Sequence, residues 1–227
     1  IRVEGMIRLK GETTDAERIH KAYIRSRDFN FSLKGMTGYD LHNKTVGVVG
    51  TGKIGRCFIN ICKGFGMRIL ANDKFPTDIP DVAYVDTDTI FRESDVISLH
   101  CPLTEETYHM IDGAAISKMK RKAMIINTSR GGLIDSASLL EAIKKRRIGG
   151  ACLDVYEDEN DLFFEDYSNH IVSDDTLARL ISMPNVIVTS HQAFLTEDAL
   201  ENIAETTVGN IVGYLEKGTE NNRVTSI

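Results

Sequence analysis

Thr45-Val46-Gly47-Val48-Val49-Gly50-Thr51-Gly52-Lys53-Ile54-Gly55 is the stretch that decides the fold of this chain. A continuous β-branched run ends on a glycine turn of the form GxGxxG, and residues 54–65 go on with helical spacing. The glycine pattern alone is a weak signal; a strand before it and a helix after it make it a dinucleotide-binding turn. Gly50 permits the tight turn, Gly52 lets the backbone approach a pyrophosphate, and Gly55 lets the helix pack close to the strand. The N-terminus of that helix adds positive potential.

Asp73 closes the next apolar run, 18 residues after Gly55. A carboxylate there accepts hydrogen bonds from the adenosine ribose hydroxyls and repels a 2′-phosphate, which favours NAD over NADP. Lys74 beside it keeps NADP open. The plainer alternative is a glycine turn that merely joins strand to helix, with Asp73 in a loop.

Outward from the turn, apolar strand-like runs alternate with helical stretches. Strands are expected over residues 45–49, 68–72, 83–86, 95–100, 123–127, 150–155 and 185–189, and helices over 14–27, 54–65 and 135–147. Continuous Val/Ile-rich strands between helices predict an α/β fold with a doubly wound parallel sheet covered on both faces. A last helical pattern runs from Thr196 to Lys217 and stops at Gly218.

The 227 residues, 42% hydrophobic and 26% charged, are ordinary for a globular protein with a sizeable core. A net charge of −6 argues against nucleic acid or an anionic membrane as partner, and no apolar run approaches a membrane span. Cys57, Cys62, Cys101 and Cys152 form no CxxC pair and have no His at metal-ligand spacing, so no metal site is expected. Cys57, Cys101 and Cys152 lie in or beside apolar runs and read as buried free thiols, which points to a reducing, cytoplasmic compartment. The chain begins at Ile1 rather than Met, which suggests that an upstream portion has been removed.

Ligands of open parallel sheets bind beyond the carboxyl ends of the strands, so the polar residues there are the candidates. These are His100-Cys101-Pro102-Leu103-Thr104, Asn127-Thr128-Ser129-Arg130-Gly131-Gly132, the acidic stretch from Asp154 to Asp161, and Ser190-His191-Gln192. Singly, each has a bland reading: a Pro-shaped turn, a surface arginine, a solvated acidic loop, a structural histidine. Together, an arginine, an acid and a histidine at three successive strand ends suit hydride transfer to a carbonyl. Spacing does not set Glu159 against His191.

These motifs resemble those of the D-isomer-specific 2-hydroxyacid dehydrogenases. The segments Gly50–Gly55, Asp95–Thr104, Asn127–Gly132, Leu153-Asp154-Val155-Tyr156-Glu157 and Ser190–Phe194 carry the resemblance. Asp161–Asp166, the insert up to Asp175 and His191–Thr196 are similar to the fermentative D-lactate dehydrogenase branch. The resemblance implies that Arg130 binds the substrate carboxylate, that His191 is the general acid/base, and that Glu159 orients its imidazole. It implies cofactor contacts at Gly50, Gly52, Lys53, Ile54, Gly55, Asp73, Cys101, Pro102, Thr107, Thr128, Ser129, Arg130 and Asp154. The implied reaction is reduction of pyruvate by NADH to D-lactate, in the cytoplasm, by a homodimer joined through its cofactor domains.

Residues 1–15 depart from the family's usual entry to the hinge helix, and the family's N-terminal substrate-domain portion is missing. Under this reading residues 1–195 form the NAD-binding domain with its hinge helix. Residues 196–227 supply the C-terminal helix and tail of an incomplete substrate domain. The chain is then a fragment or truncated homologue of the enzyme. The alternative is an NAD-binding regulatory or assembly module without turnover. A hydroxypyruvate or phosphoglycerate dehydrogenase is disfavoured by Phe163-Phe164.

Overall fold

A computed structural model describes residues 40–157, 174–218 and 222. The chain divides into two compact units, Ile1–His191 and Gln192–Ile227. The expected helix over 14–27 and the residues from Asp158 to Ser173, Glu159 and Phe163-Phe164 among them, lie outside the described residues.

The described strands of the first unit are β1 (Thr45–Val49), β2 (Arg68–Asn72), β3 (Val82–Tyr84), β4 (Val96–Leu99), β5 (Met124–Asn127), β6 (Gly150–Leu153) and β7 (Val186–Val188). They pair in the order β3-β2-β1-β4-β5-β6-β7, and every pair is parallel. The order reverses between β1 and β4, and in open parallel sheets ligands bind beyond the carboxyl ends of the strands at such a switch point. Between the strands come α1 (Lys53–Gly64), α2 (Thr87–Glu93), α3 (Gly113–Lys118), α4 (Ser136–Lys144) and α5 (Asp175–Ser182).

Alternate strand residues point to opposite faces, and each face here has its own core. Val46, Val48, Ile69, Val96, Ile126 and Cys152 pack with Phe58, Ile59 and Cys62 of α1. Val49, Ile97, Leu99, Ile125, Ala151 and Leu153 pack with Ile90, Ile116, Leu139, Ile143, Leu177 and Leu180 from α2 to α5. Both faces being covered is why the strands read as unbroken apolar runs rather than as alternating ones.

Several boundaries differ from those expected. The strand read at 83–86 is Val82–Tyr84; Asp86 instead caps α2, its carboxylate accepting from Thr89 N at 2.7 Å. The short helices α2, α3 and α5 were not expected, because six to eight residues give little periodicity. Each nevertheless starts on an Asp cap, at Asp86, Asp112 and Asp174. Cys57 is exposed, against expectation: the buried stripe of α1 is Gly55, Phe58, Ile59 and Cys62, and Cys57 falls off it.

The second unit contains α6 (Glu197–Lys217). The Thr196 hydroxyl accepts from Ala199 N at 3.2 Å, and Gly218, at φ 61°, ends the helix in the left-handed conformation that glycine adopts without strain. No helix among the described residues is long and apolar enough to cross a membrane.

Candidate functional site

The glycine turn is held by contacts that leave no room for side chains at two of its positions. Gly50 has φ +94°, and a Cβ there would stand 2.6 Å from Cys101 N and 2.7 Å from His100 O. A Cβ on Gly55 would lie 2.0 Å from Gly50 O, so α1 can approach β1 this closely only at a glycine. At Gly52 a Cβ would meet nothing within 4 Å, and the mouth of the turn is open. Gly52 caps α1 without a side-chain hydrogen bond, and no acid stands in the first turn. Lys53 begins the helix, and Ile54 is 68% exposed. First-turn amides without a side-chain cap, beside open space, suit a phosphate group.

Asp73 follows β2 and leans over this turn. Its Oδ2 accepts from Thr51 N at 2.6 Å and Thr51 Oγ1 at 3.0 Å, while Oδ1 accepts from Phe75 N at 2.8 Å. Burial by itself would raise its pKa, but these donors and nearby Arg56 outweigh it and hold the carboxyl below its ordinary range. Oδ1, with one donor, keeps acceptor capacity for a ribose hydroxyl. Thr51 was not singled out in the sequence, although it occupies the variable position of the turn. It is 2% exposed, and the Tyr84 hydroxyl also donates to it at 3.0 Å.

Beyond the switch point, β4 to β7 stand side by side, and the candidates at their ends are stitched together through the backbone. Cys101 is buried after β4, and its carbonyl accepts from Ser129 Oγ at 2.7 Å. Thr107 Oγ1 donates to Pro102 O at 2.8 Å and accepts from Thr104 N at 2.8 Å, which closes the loop after β4. Asn127, 1% exposed at the end of β5, donates through Nδ2 to Arg130 O at 2.8 Å and accepts at Oδ1 from Ser129 N at 3.1 Å. This brace fixes the turn carrying Thr128, Ser129 and Arg130. Arg130 itself is exposed, with Nη1 donating to Ser129 O at 2.8 Å.

Asp154 is 1% exposed rather than part of a solvated acidic loop. Its N donates to Asn127 O at 2.9 Å, its carbonyl accepts from His191 N at 2.7 Å, and its carboxylate accepts from the Thr189 hydroxyl. His191 lies just past β7 with φ +51°, a left-handed backbone that costs a non-glycine residue energy. Asn127, Asp154 and His191 are thus joined in series across three adjacent strand ends. Asn127 was among the strand-end candidates without a role of its own, and Thr189 was not chosen from the sequence; the signal for both is a polar residue closing an apolar run.

The family pattern of the D-isomer specific 2-hydroxyacid dehydrogenase NAD-binding domain matches residues 13–193. This chain belongs to that family. The dehydrogenase domain is 55% identical over 204 residues to D-lactate dehydrogenase of Escherichia coli strain K12, covering 88% of this chain and 62% of that protein. Among solved structures, Salmonella D-lactate dehydrogenase superimposes with a TM-score of 0.78 at 54% identity, over 95% of this chain and 64% of the other. D-lactate dehydrogenase from Lactobacillus jensenii, solved with NAD+, gives 0.83 at 32% identity, over 98% and 66%. The chain thus spans under two thirds of the length of these relatives. NAD is the cofactor of the domain, and the open, uncapped glycine turn fits it.

Burial shifts the titration of His100 well below the ordinary histidine value. His100 follows β4, with its ring centroid 5.2 Å from that of Phe58 and its Nε2 2.9 Å from Ser98 Oγ. Burial lowers its pKa from 6.5 to about 4, so the folded protein holds it neutral at physiological pH. The unfolded chain then binds the extra proton first as pH falls. The His100 contribution to stability is therefore complete above pH 6.5 and is lost between 6.5 and about 4. Melting temperature followed across that window should fall less steeply in His100→Asn, which removes about 3 kcal/mol of this pH dependence.

Proposed function

We propose that this domain is the cofactor-binding part of an NAD-dependent D-2-hydroxyacid dehydrogenase whose reaction is reduction of pyruvate to D-lactate. The observation that carries this reading is the series Asn127, Asp154, His191, which sets a histidine on the same rim of the sheet as Arg130 and the dinucleotide turn.

In this reading Gly52, Lys53 and Ile54 offer backbone amides to the pyrophosphate, with Gly50 and Gly55 shaping the turn, and Asp73 takes the adenosine ribose. Cys101, Pro102, Thr107, Thr128 and Ser129 line the cofactor, and Asp154 stands beside the nicotinamide. When bound, the reduced cofactor supplies hydride to a carbonyl carbon. Arg130 grips the substrate carboxylate with its planar fork and polarises the carbonyl, a task a lysine performs less well. His191 delivers a proton to the carbonyl oxygen during reduction and removes it in the reverse direction. Glu159, in the family resemblance, orients His191. The strained backbone of His191, pinned to Asp154 O and Thr189 O at 2.7 and 2.9 Å, fixes the point from which its ring starts.

The likeness to D-lactate dehydrogenases also supports a homodimer in the cytoplasm. NADH oxidation by the purified chain, with pyruvate and a panel of 2-oxoacids, tests the activity. Pyruvate should be the best substrate of the panel. NADH binding with no oxidation of any 2-oxoacid would favour a regulatory or assembly module instead.

A further inference from the structure

A His–carboxylate pair stands in this domain apart from the residues assigned above. His109 Nε2 meets Glu157 Oε2 at 2.7 Å, with the two side chains 30% and 22% exposed. The second oxygen of that carboxylate, Oε1, accepts from Ser136 N at 3.2 Å, at the start of α4. His109 is further held by its neighbours. Its N donates to Gly132 O at 2.8 Å, the Tyr108 ring stacks on it at 3.9 Å, and its backbone is left-handed at φ +50°.

These contacts tie three separate loops at one point. His109 belongs to the loop after β4, Gly132 to the turn after β5, and Glu157 to the segment after β6. The loops also interlock at that point. A Cβ on Gly131 would lie 2.0 Å from Tyr156 C and O, and one on Gly132 would lie 3.1 Å from Leu103. Ile111 N donates to Leu133 O at 3.0 Å, and Asp135 N donates to Ile111 O at 3.0 Å, so a short parallel bridge continues the seam. A left-handed histidine persists only where its surroundings over-determine it. A half-buried hydrogen bond to a carboxylate in such a place contributes more than an exposed one.

In a sheet of this order the dinucleotide straddles the switch point. The glycine turn and Asp73 serve one mononucleotide half, and the ends of β4 to β6 serve the other. The seam's contacts at Gly132 and Glu157 belong to the turns after β5 and β6, on the nicotinamide side, whereas the Cys101–Thr107 loop also borders the glycine turn and reaches Lys74 through Glu106 at 3.0 Å. We propose that His109 and Glu157 are positioning residues, a clamp that sets the Thr128–Arg130 turn and the segment after β6 for the nicotinamide half of the cofactor without touching the adenosine half.

This rests on the NAD reading, and the test separates the two. Binding of NADH and of ADP-ribose, which lacks the nicotinamide, is measured on the purified chain and its variants. The wild type should bind NADH about tenfold tighter than ADP-ribose. His109→Ala should reduce that preference to about twofold, with ADP-ribose affinity within about twofold of wild type. His109→Gln, whose amide can still donate to Glu157, should restore most of the preference. Glu157→Ala combined with His109→Ala should cost no more than either alone. Equal loss of both ligands, an unchanged preference in a folded His109→Ala, or no rescue by glutamine would overturn the clamp. A folded wild type that binds neither ligand would remove the NAD reading itself.

Discussion

Gly55→Val should abolish NADH binding and lower the melting temperature by roughly 10 °C. The valine Cβ would be built 2.0 Å from Gly50 O and 3.0 Å from Gly50 C, both backbone atoms that no rotamer change can move aside. Relief requires α1 to retreat from β1, which strains the core around Val46, Val48, Phe58 and Ile59. Overpacking of this kind costs about 3 kcal/mol. The retreat also moves the first-turn amides of α1 away from the turn at Gly50, so binding suffers beyond the stability loss. Thermal melting with and without NADH separates the effects: the variant melts lower, and NADH no longer raises its melting point. At Gly52, where nothing lies within 4 Å of a Cβ, alanine should leave the melting temperature nearly unchanged. That contrast makes the argument one of geometry rather than of glycine content.

His191→Asn should lower the turnover of 2-oxoacid reduction by about 10²- to 10⁴-fold while NADH affinity changes little. Asparagine is the informative replacement because it tolerates the left-handed backbone at φ +51°, so the hydrogen bonds from residue 191 N to Asp154 O and Thr189 O can persist. What it lacks is a proton that can be passed near neutral pH. Steady-state kinetics with pyruvate, together with an NADH titration, check this. Retained turnover would end the acid/base assignment, and lost NADH binding would show that His191 acts through the fold.

The parallel sheet was legible because its strands are buried on both faces, and unbroken runs such as Thr45–Val49 and Arg68–Asn72 keep their expected bounds in the structure. The glycine turn was legible because backbone contact is encoded in residue type: only glycine fits at positions 50 and 55. The short helices were not, since Thr87–Glu93 and Gly113–Lys118 owe their form to packing and to one Asp cap each rather than to periodicity. The burial of Asp154 was also hidden. An acid in an acidic run looks solvated until the backbone of His191 and the Thr189 hydroxyl, more than 30 positions away, are seen to meet it. The His109–Glu157 pair, 48 residues apart, has no signal in spacing either. Contacts across loops depend on which strands are neighbours, and that order follows from the whole chain.

The most direct test of this account is a titration of the purified, folded chain with NADH and, separately, with NADPH. Saturable binding of one NADH per chain is predicted, with NADPH bound much more weakly because the ionised Asp73 meets its 2′-phosphate. A folded chain that binds neither dinucleotide would contradict the central claim, and one that prefers NADPH would contradict the role given to Asp73.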